Sequence, residues 1–133
     1  PTIRRAIALA LETSLPLHFL YVVNLDFLSS TSSSRVHTIE EEMREMGEFI
    51  LLTAQAAAAD QGVQAFGNVR HGMVGEQIIA LCQEVNARYV VLGAPQRREE
   101  RNIFDIQRLE RFAQRITEQT GARVVIAGET GPL

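Results

Sequence analysis

The stretch Leu17-His18-Phe19-Leu20-Tyr21-Val22-Val23 decides the class of fold. It is an almost unbroken apolar run, bounded by Pro16 on one side and by Asn24 and Asp26 on the other. A strand with one wet face alternates apolar and polar residues. A continuous run suits a strand covered on both faces, and such strands belong to parallel sheets. Parallel strands need crossover connections, so helices are expected on either side. Upstream, Ile3, Ala6, Ile7, Ala10 and Leu11 follow the i, i+3, i+4, i+7, i+8 template of one buried helix face. Downstream, after the Ser-rich loop Ser29 to Ser34, Thr38 and Glu41 form a capping box that predicts the start of a second helix. Its stripe runs through Ile39, Met43, Met46, Ile50, Thr53 and Ala57, and Gly62 supplies its stop.

The same alternation continues to the end of the chain. Val63 to Arg70 mixes small or apolar residues with Gln64, Asn68 and Arg70, as a half-exposed strand near a sheet edge does. A turn at His71 to Gly75 leads into helical spacing at Ile78, Leu81, Cys82 and Val85. Arg88 to Gly93 contains Tyr-Val-Val-Leu, a second buried strand, followed by the charged loop 94–102. The last helix places Asp105 near its cap, buries Leu109, Phe112, Ala113 and Ile116, and ends at Gly121; Val124 to Ala127 closes the pattern as a strand. The order αβαβαβαβ predicts an α/β fold, a doubly wound parallel sheet sandwiched by helices with right-handed crossovers. An opening helix has no strand before it to cross over from, so one further strand is expected upstream of Pro1.

Composition narrows the function. A chain of 133 residues with 46% hydrophobic content predicts one soluble domain over 1–133 that needs neither disulfides nor a structural metal to hold its core. Sixteen acidic residues against 13 basic ones, all of them Arg, leave a net charge of −3 and no electrostatic footprint for nucleic acid. No apolar run approaches the roughly 20 residues of a membrane helix, and no signal-peptide pattern opens the chain, so a cytoplasmic location is expected. His18, His37 and His71 have no metal-ligand spacing, and the lone Cys82 makes no zinc pattern. No G-x-S-x-G, Walker-type loop or G-x-G-x-x-G occurs. No metal site and no catalytic residues are expected, and the chain reads as a non-enzyme.

Four segments carry a resemblance: Ile3 to Leu11; Phe19 to Asn24; Val69-Arg70-His71-Gly72 with Glu76-Gln77-Ile78-Ile79; and Ala87-Arg88-Tyr89-Val90-Val91-Leu92-Gly93. In this order and spacing they resemble the universal stress protein family. The resemblance implies a five-stranded doubly wound sheet of order 3-2-1-4-5 whose first strand would precede Pro1, a homodimer, and a role in stress response. Members that bind ATP carry a signature of the form G-x2-G-x9-G-[S/T]. Here Gly93 matches its first glycine, but Gln96 stands at the second, and Ile106 and Gln107 stand where Gly-Ser or Gly-Thr is expected. Glycine lets backbone N–H groups approach phosphates closely, and the side chains of Gln96 and Ile106 obstruct that approach. The resemblance therefore implies the fold strongly and ATP binding weakly.

Two functional expectations follow. The first is a regulatory domain without cofactor, acting through dimerisation and protein contacts with its ATP signature degraded. Its dimer contact would be the terminal strand Arg123 to Ala127, an apolar sheet edge that must be covered or paired. The second is an ATP- or AMP-binding domain. Ligands of open parallel sheets sit beyond the carboxyl ends of the strands, so its candidate nucleotide site comprises Gly93, the main chain near Val23, and Arg97, Arg98 and Arg101, whose guanidinium forks could grip phosphate. Against it, Glu99 and Glu100 can neutralise those arginines in a solvated loop.

Overall fold

The structure, a computed structural model, describes residues 2–25, 33–93 and 103–128, with backbone alone at 33–34 and 103–106. Helix and strand alternate as α1 Thr2–Thr13, β1 Leu17–Val23, α2 Ser33–Asp60, β2 Ala65–His71, α3 Val74–Val85, β3 Tyr89–Gly93, α4 Ile103–Thr120 and β4 Arg123–Ala127. Both strand pairs are parallel, β1 with β2 and β3 with β4. The alternating parallel α/β architecture is thus present. The described strands form two two-stranded sheets instead of one continuous sheet, and the chain divides into two compact units, residues 7–78 and residues 1–6 with 79–133.

In the unit 7–78, Leu17 stands opposite Ala65 and Val23 opposite His71. Two further bonds extend this ladder at both ends: Leu17 N–H donates to Gln64 O (2.9 Å) and Gly72 N–H to Val23 O (3.1 Å). Ile7 and Ala10 of α1 pack with Ala58 and Val63, and Leu17, Phe19, Ala57 and Ala65 close over them. Small residues at 10, 57, 58 and 65 let helix and sheet backbones approach closely. β1 is half-buried along its length except at Val23, which is 1% exposed. Full burial on both faces was the expectation. A strand paired on one edge only, within a two-stranded sheet, keeps part of each residue open to water. On the other sheet face His18 and Phe66, directly opposite in register, stack with ring centroids 5.0 Å apart.

Helix α2 differs from expectation in both start and phase. It begins at Ser33, so Thr38 and Glu41 lie inside it and do not cap it. Nothing from Arg35 to His37 breaks a helix, and Glu41 is engaged by His37 one turn earlier (Nε2 to Oε1, 3.2 Å). The buried positions are Gly47, Leu51, Ala54 and Ala58, whereas Met46 (57%) and Ile50 (41%) of the expected stripe are exposed. Gly47 explains the rotation. A Cβ there would lie 2.7 Å from Tyr21 Cε1 and 2.8 Å from Cγ, so the bare backbone of α2 rests on the Tyr21 ring of β1. Gly62, at φ +77°, ends the helix region as a left-handed cap, and Val63 N–H reaches back to Ala58 O (2.9 Å).

In the other unit, Tyr89 stands opposite Arg123 and Gly93 opposite Ala127. Ile79, Leu81 and Cys82 are the buried residues of α3. The helix already includes Gly75, which had been assigned to a turn, and ends before Asn86, held in the left-handed region at φ 52°. Ile116 of α4 is fully buried, and Ala122 and Ala127 of the same unit are buried too; truncating Ile116 to Ala removes a filled core volume and costs about 2–5 kcal/mol. The turn out of α4 is tightly bonded. Gly121, at φ +77°, donates to Thr117 O (2.9 Å), while the Thr120 hydroxyl donates to Ile116 O (2.7 Å) and accepts from Ala122 N–H (3.1 Å).

Candidate functional site

The carboxyl ends of the strands were the expected location of a ligand. In the unit 7–78 this end consists of Val23, Asn24, His71 and Gly72. Val23 is buried and its carbonyl already accepts the Gly72 N–H, so the main chain there is engaged by the turn after β2. Gly72 sits at φ +130°, a conformation that favours glycine, and a Cβ on it would lie 3.0 Å from Gln77 Nε2. Gln77 N–H donates to Met73 O (3.0 Å) in the first turn of α3, and Glu76 supplies the negative charge that this helix start favours. Nearby, His71 Nε2 stands 3.9 Å from Glu40 Oε1, a solvent-screened pair.

In the other unit, β3 ends at Gly93, whose open side faces the first residue of α1. A Cβ at Gly93 would lie 2.7 Å from the Thr2 hydroxyl, with Thr2 Cβ at 3.8 Å and Cγ2 at 4.0 Å. The space beside this glycine is therefore met by a side chain of the chain itself. Ile106 and Gln107, at the positions of the signature's last glycine and hydroxyl residue, lie within α4. Arg97, Arg98 and Arg101 and the position Gln96 lie outside the described residues, as do the Ser29 to Ser32 part of the serine-rich loop and the tail beyond Gly128. Val23 and Gly93 belong to different units.

The chemistry elsewhere is sparse. Cys82 is buried in α3, and its desolvation pushes the thiol pKa up, which keeps it protonated and unreactive. Among the described residues, no group of three or more His, Cys, Asp and Glu side chains gathers to hold a metal. An open depression of about 440 Å³ lies at the amino end of β4, lined by Ala113, Gln114 and Thr117 of α4 and by Gly121 to Val124. Of the expected nucleotide-site residues that are described, Val23 and Gly93, neither borders it. Among the described residues no helix is long and apolar enough to cross a membrane.

Two features were not read from the sequence. One is the Thr2–Gly93 contact, which no local pattern encodes. The other is an exposed apolar ridge on α2, with Phe49 72% and Leu52 65% exposed beside Met46. Its signal was available: Phe49 and Leu52 are large apolar residues off the stripe assigned to the core.

β4 pairs with β3 and with no other described strand. Val124, Val125 and Ile126 are half-buried along it. Among the described residues, the strand thus has one backbone edge with no strand paired to it, and it carries apolar side chains.

A search of the curated proteins found no match. Among solved structures, the chain is similar to a crystal structure of a protein from the universal stress protein family from Burkholderia pseudomallei, at 20% identity and a TM-score of 0.67, over 94% of this chain and 83% of that one. At that identity the likeness establishes a shared fold. The model of the universal stress protein family matches residues 1–127. Four sequence segments, the helix–strand order, the parallel pairing and this match agree: the chain belongs to the universal stress protein family.

Proposed function

We propose that this domain is a non-enzymatic regulatory module of the stress response, cytoplasmic and homodimeric, which works through protein contacts with its ATP signature degraded. The observation that carries this reading is the state of the signature. Gly93 is retained, but its open side is taken by Thr2 Oγ1, and side-chain-bearing Gln96 and Ile106 replace the two glycines that would bring backbone to phosphate. The β4 edge, Arg123 to Ala127, with no described strand paired to it, supports the dimer, since pairing with a second copy covers both its hydrogen-bonding groups and its apolar side chains.

The test is a thermal shift with ATP and AMP. A ligand present at about 100 times its Kd adds about 2.7 kcal/mol to the folded state. No shift is expected. The competing reading, an ATP- or AMP-binding domain, is favoured by one feature: three arginines, Arg97, Arg98 and Arg101, follow Gly93 directly. It requires a shift that disappears in the Arg97→Ala/Arg98→Ala variant. For the dimer, sedimentation should give twice the monomer mass at micromolar concentration, reduced to the monomer by Val124→Pro: Arg123 N–H bonds Arg88 O of the β3 side (2.8 Å), so the next N–H, that of Val124, faces the outer edge and is the donor removed.

A further inference from the structure

The face of α2 turned away from the sheet has an unusual composition for a surface helix. Met46, Phe49 and Leu52 lie three residues apart, so they share one side of the helix over two turns, and each is more than half exposed. On the same stretch stand Glu42, Glu45 and Glu48, all exposed. The neighbouring carboxylates Glu40 and Glu41 have histidine partners, whereas among the described residues these three make no ion pair. The ridge is also rigid, because on the opposite side Gly47 rests on the Tyr21 ring and Leu51 and Ala54 are buried.

We propose that this ridge docks a cationic amphipathic helix of a partner protein, its apolar side chains covering Met46, Phe49 and Leu52 and its Lys or Arg side chains meeting Glu42, Glu45 and Glu48. Charge selects this occupant. A second copy of α2 would bring a second set of carboxylates to the same contact, and an anionic membrane surface would be repelled. A cationic helix instead gains from both components: burial of three exposed apolar residues and pairing of three unpartnered carboxylates. The proposal rests on the reading that the domain acts through protein contacts, and it uses a surface on α2 distinct from the β4 edge.

The probe is a fluorescein-labelled leucine–lysine helix of about 18 residues with leucine at helical spacing, titrated with the intact chain by fluorescence anisotropy. Controls are a scrambled peptide of the same composition and a counterpart with Glu for Lys. The expected result is binding of the amphipathic cationic peptide alone. It should weaken about tenfold or more in Phe49→Ala and in Leu52→Ala. In Glu42→Gln/Glu45→Gln it should weaken and lose much of its dependence on salt between about 0.1 M and 1 M. All four positions are exposed, and unchanged circular dichroism will confirm that the variants fold. No binding, equal binding of the scrambled peptide, or binding indifferent to Phe49 and Leu52 would overturn the proposal; so would self-association of the chain that Phe49→Glu abolishes. Sedimentation of Val124→Pro reports on the β4 dimer separately, so failure of the one surface leaves the other measurable.

Discussion

Gly93→Ala is the substitution that best separates a structural glycine from a ligand-binding one. A methyl group there would lie 2.7 Å from Thr2 Oγ1, whereas Thr2 Cβ and Cγ2 stand at ordinary contact distances of 3.8 and 4.0 Å. Only the hydroxyl obstructs. Carbon–oxygen contacts are comfortable from about 3.3 Å, so the two groups must separate by roughly 0.6 Å. Moving the threonine off its rotamer costs about 0.5–1.5 kcal/mol, and shifting backbone to make room costs about 1–3 kcal/mol. Against this, replacing glycine at a position without positive φ restricts the unfolded chain and contributes about 0.4–1 kcal/mol. The net expectation is a loss of about 0.5–2 kcal/mol, seen as a Tm lower by about 2–8 °C for a chain of this size. In a Thr2→Ala background the obstruction is gone while the entropic gain persists, so Gly93→Ala should there stabilise by about 0.4–1 kcal/mol. Urea denaturation of the four proteins closes the double-mutant cycle, with an expected coupling of about 1–3 kcal/mol. An equal effect of Gly93→Ala in both backgrounds would refute the reasoning. If that result came with an ATP-induced stabilisation that Gly93→Ala removes, glycine would be needed there for nucleotide and not for Thr2.

Gly47→Ala should destabilise the chain even though alanine is favoured over glycine in a helix by about 1 kcal/mol. The added methyl meets the Tyr21 ring, and in Tyr21→Ala the same substitution should become stabilising, as equilibrium unfolding will show. Gly72→Ala combines φ +130° with the 3.0 Å approach of Gln77 Nε2 and should cost about 1–3 kcal/mol. Cys82 should react slowly with a thiol reagent until denaturant is added. Because burial raises its pKa, the folded chain keeps a proton that the unfolded chain releases. Its contribution is constant below the ordinary thiol pKa of about 8.5 and is lost as pH rises through the interval up to the raised folded value. Stability measured above pH ~9 should therefore fall more steeply in the parent chain than in Cys82→Ala.

The parts of this fold that were legible in the sequence are those written by strong local rules. The run at Leu17 to Val23 and the Tyr-Val-Val-Leu of β3 are strands because little else suits short β-branched stretches bounded by turn residues. Gly62 and Gly121 end helices because each adopts the left-handed conformation that a cap needs. α2 was misphased for an equally physical reason. Apolar residues at 43, 46, 49, 50, 51 and 52 surround most of the helix, so hydrophobicity alone does not select a side. The side is chosen by a residue that a hydrophobic count ignores, Gly47, whose missing side chain admits the Tyr21 ring.

The candidate site shows the same ambiguity in sharper form. Glycine after a parallel strand has two physical explanations, a backbone laid open to phosphate and a backbone approached by another part of the chain, and both leave the same letter in the sequence. The residue that distinguishes them at position 93 is Thr2, at the opposite end of the chain, and no local periodicity connects the two. Once the Thr2 hydroxyl is placed against Gly93, the presence of that glycine alone no longer argues for a nucleotide. The weight passes to Gln96 and Ile106, where a phosphate cradle would have needed two more glycines. Gln96 and Ile106 therefore bear more on the proposed loss of the nucleotide site than Gly93 does.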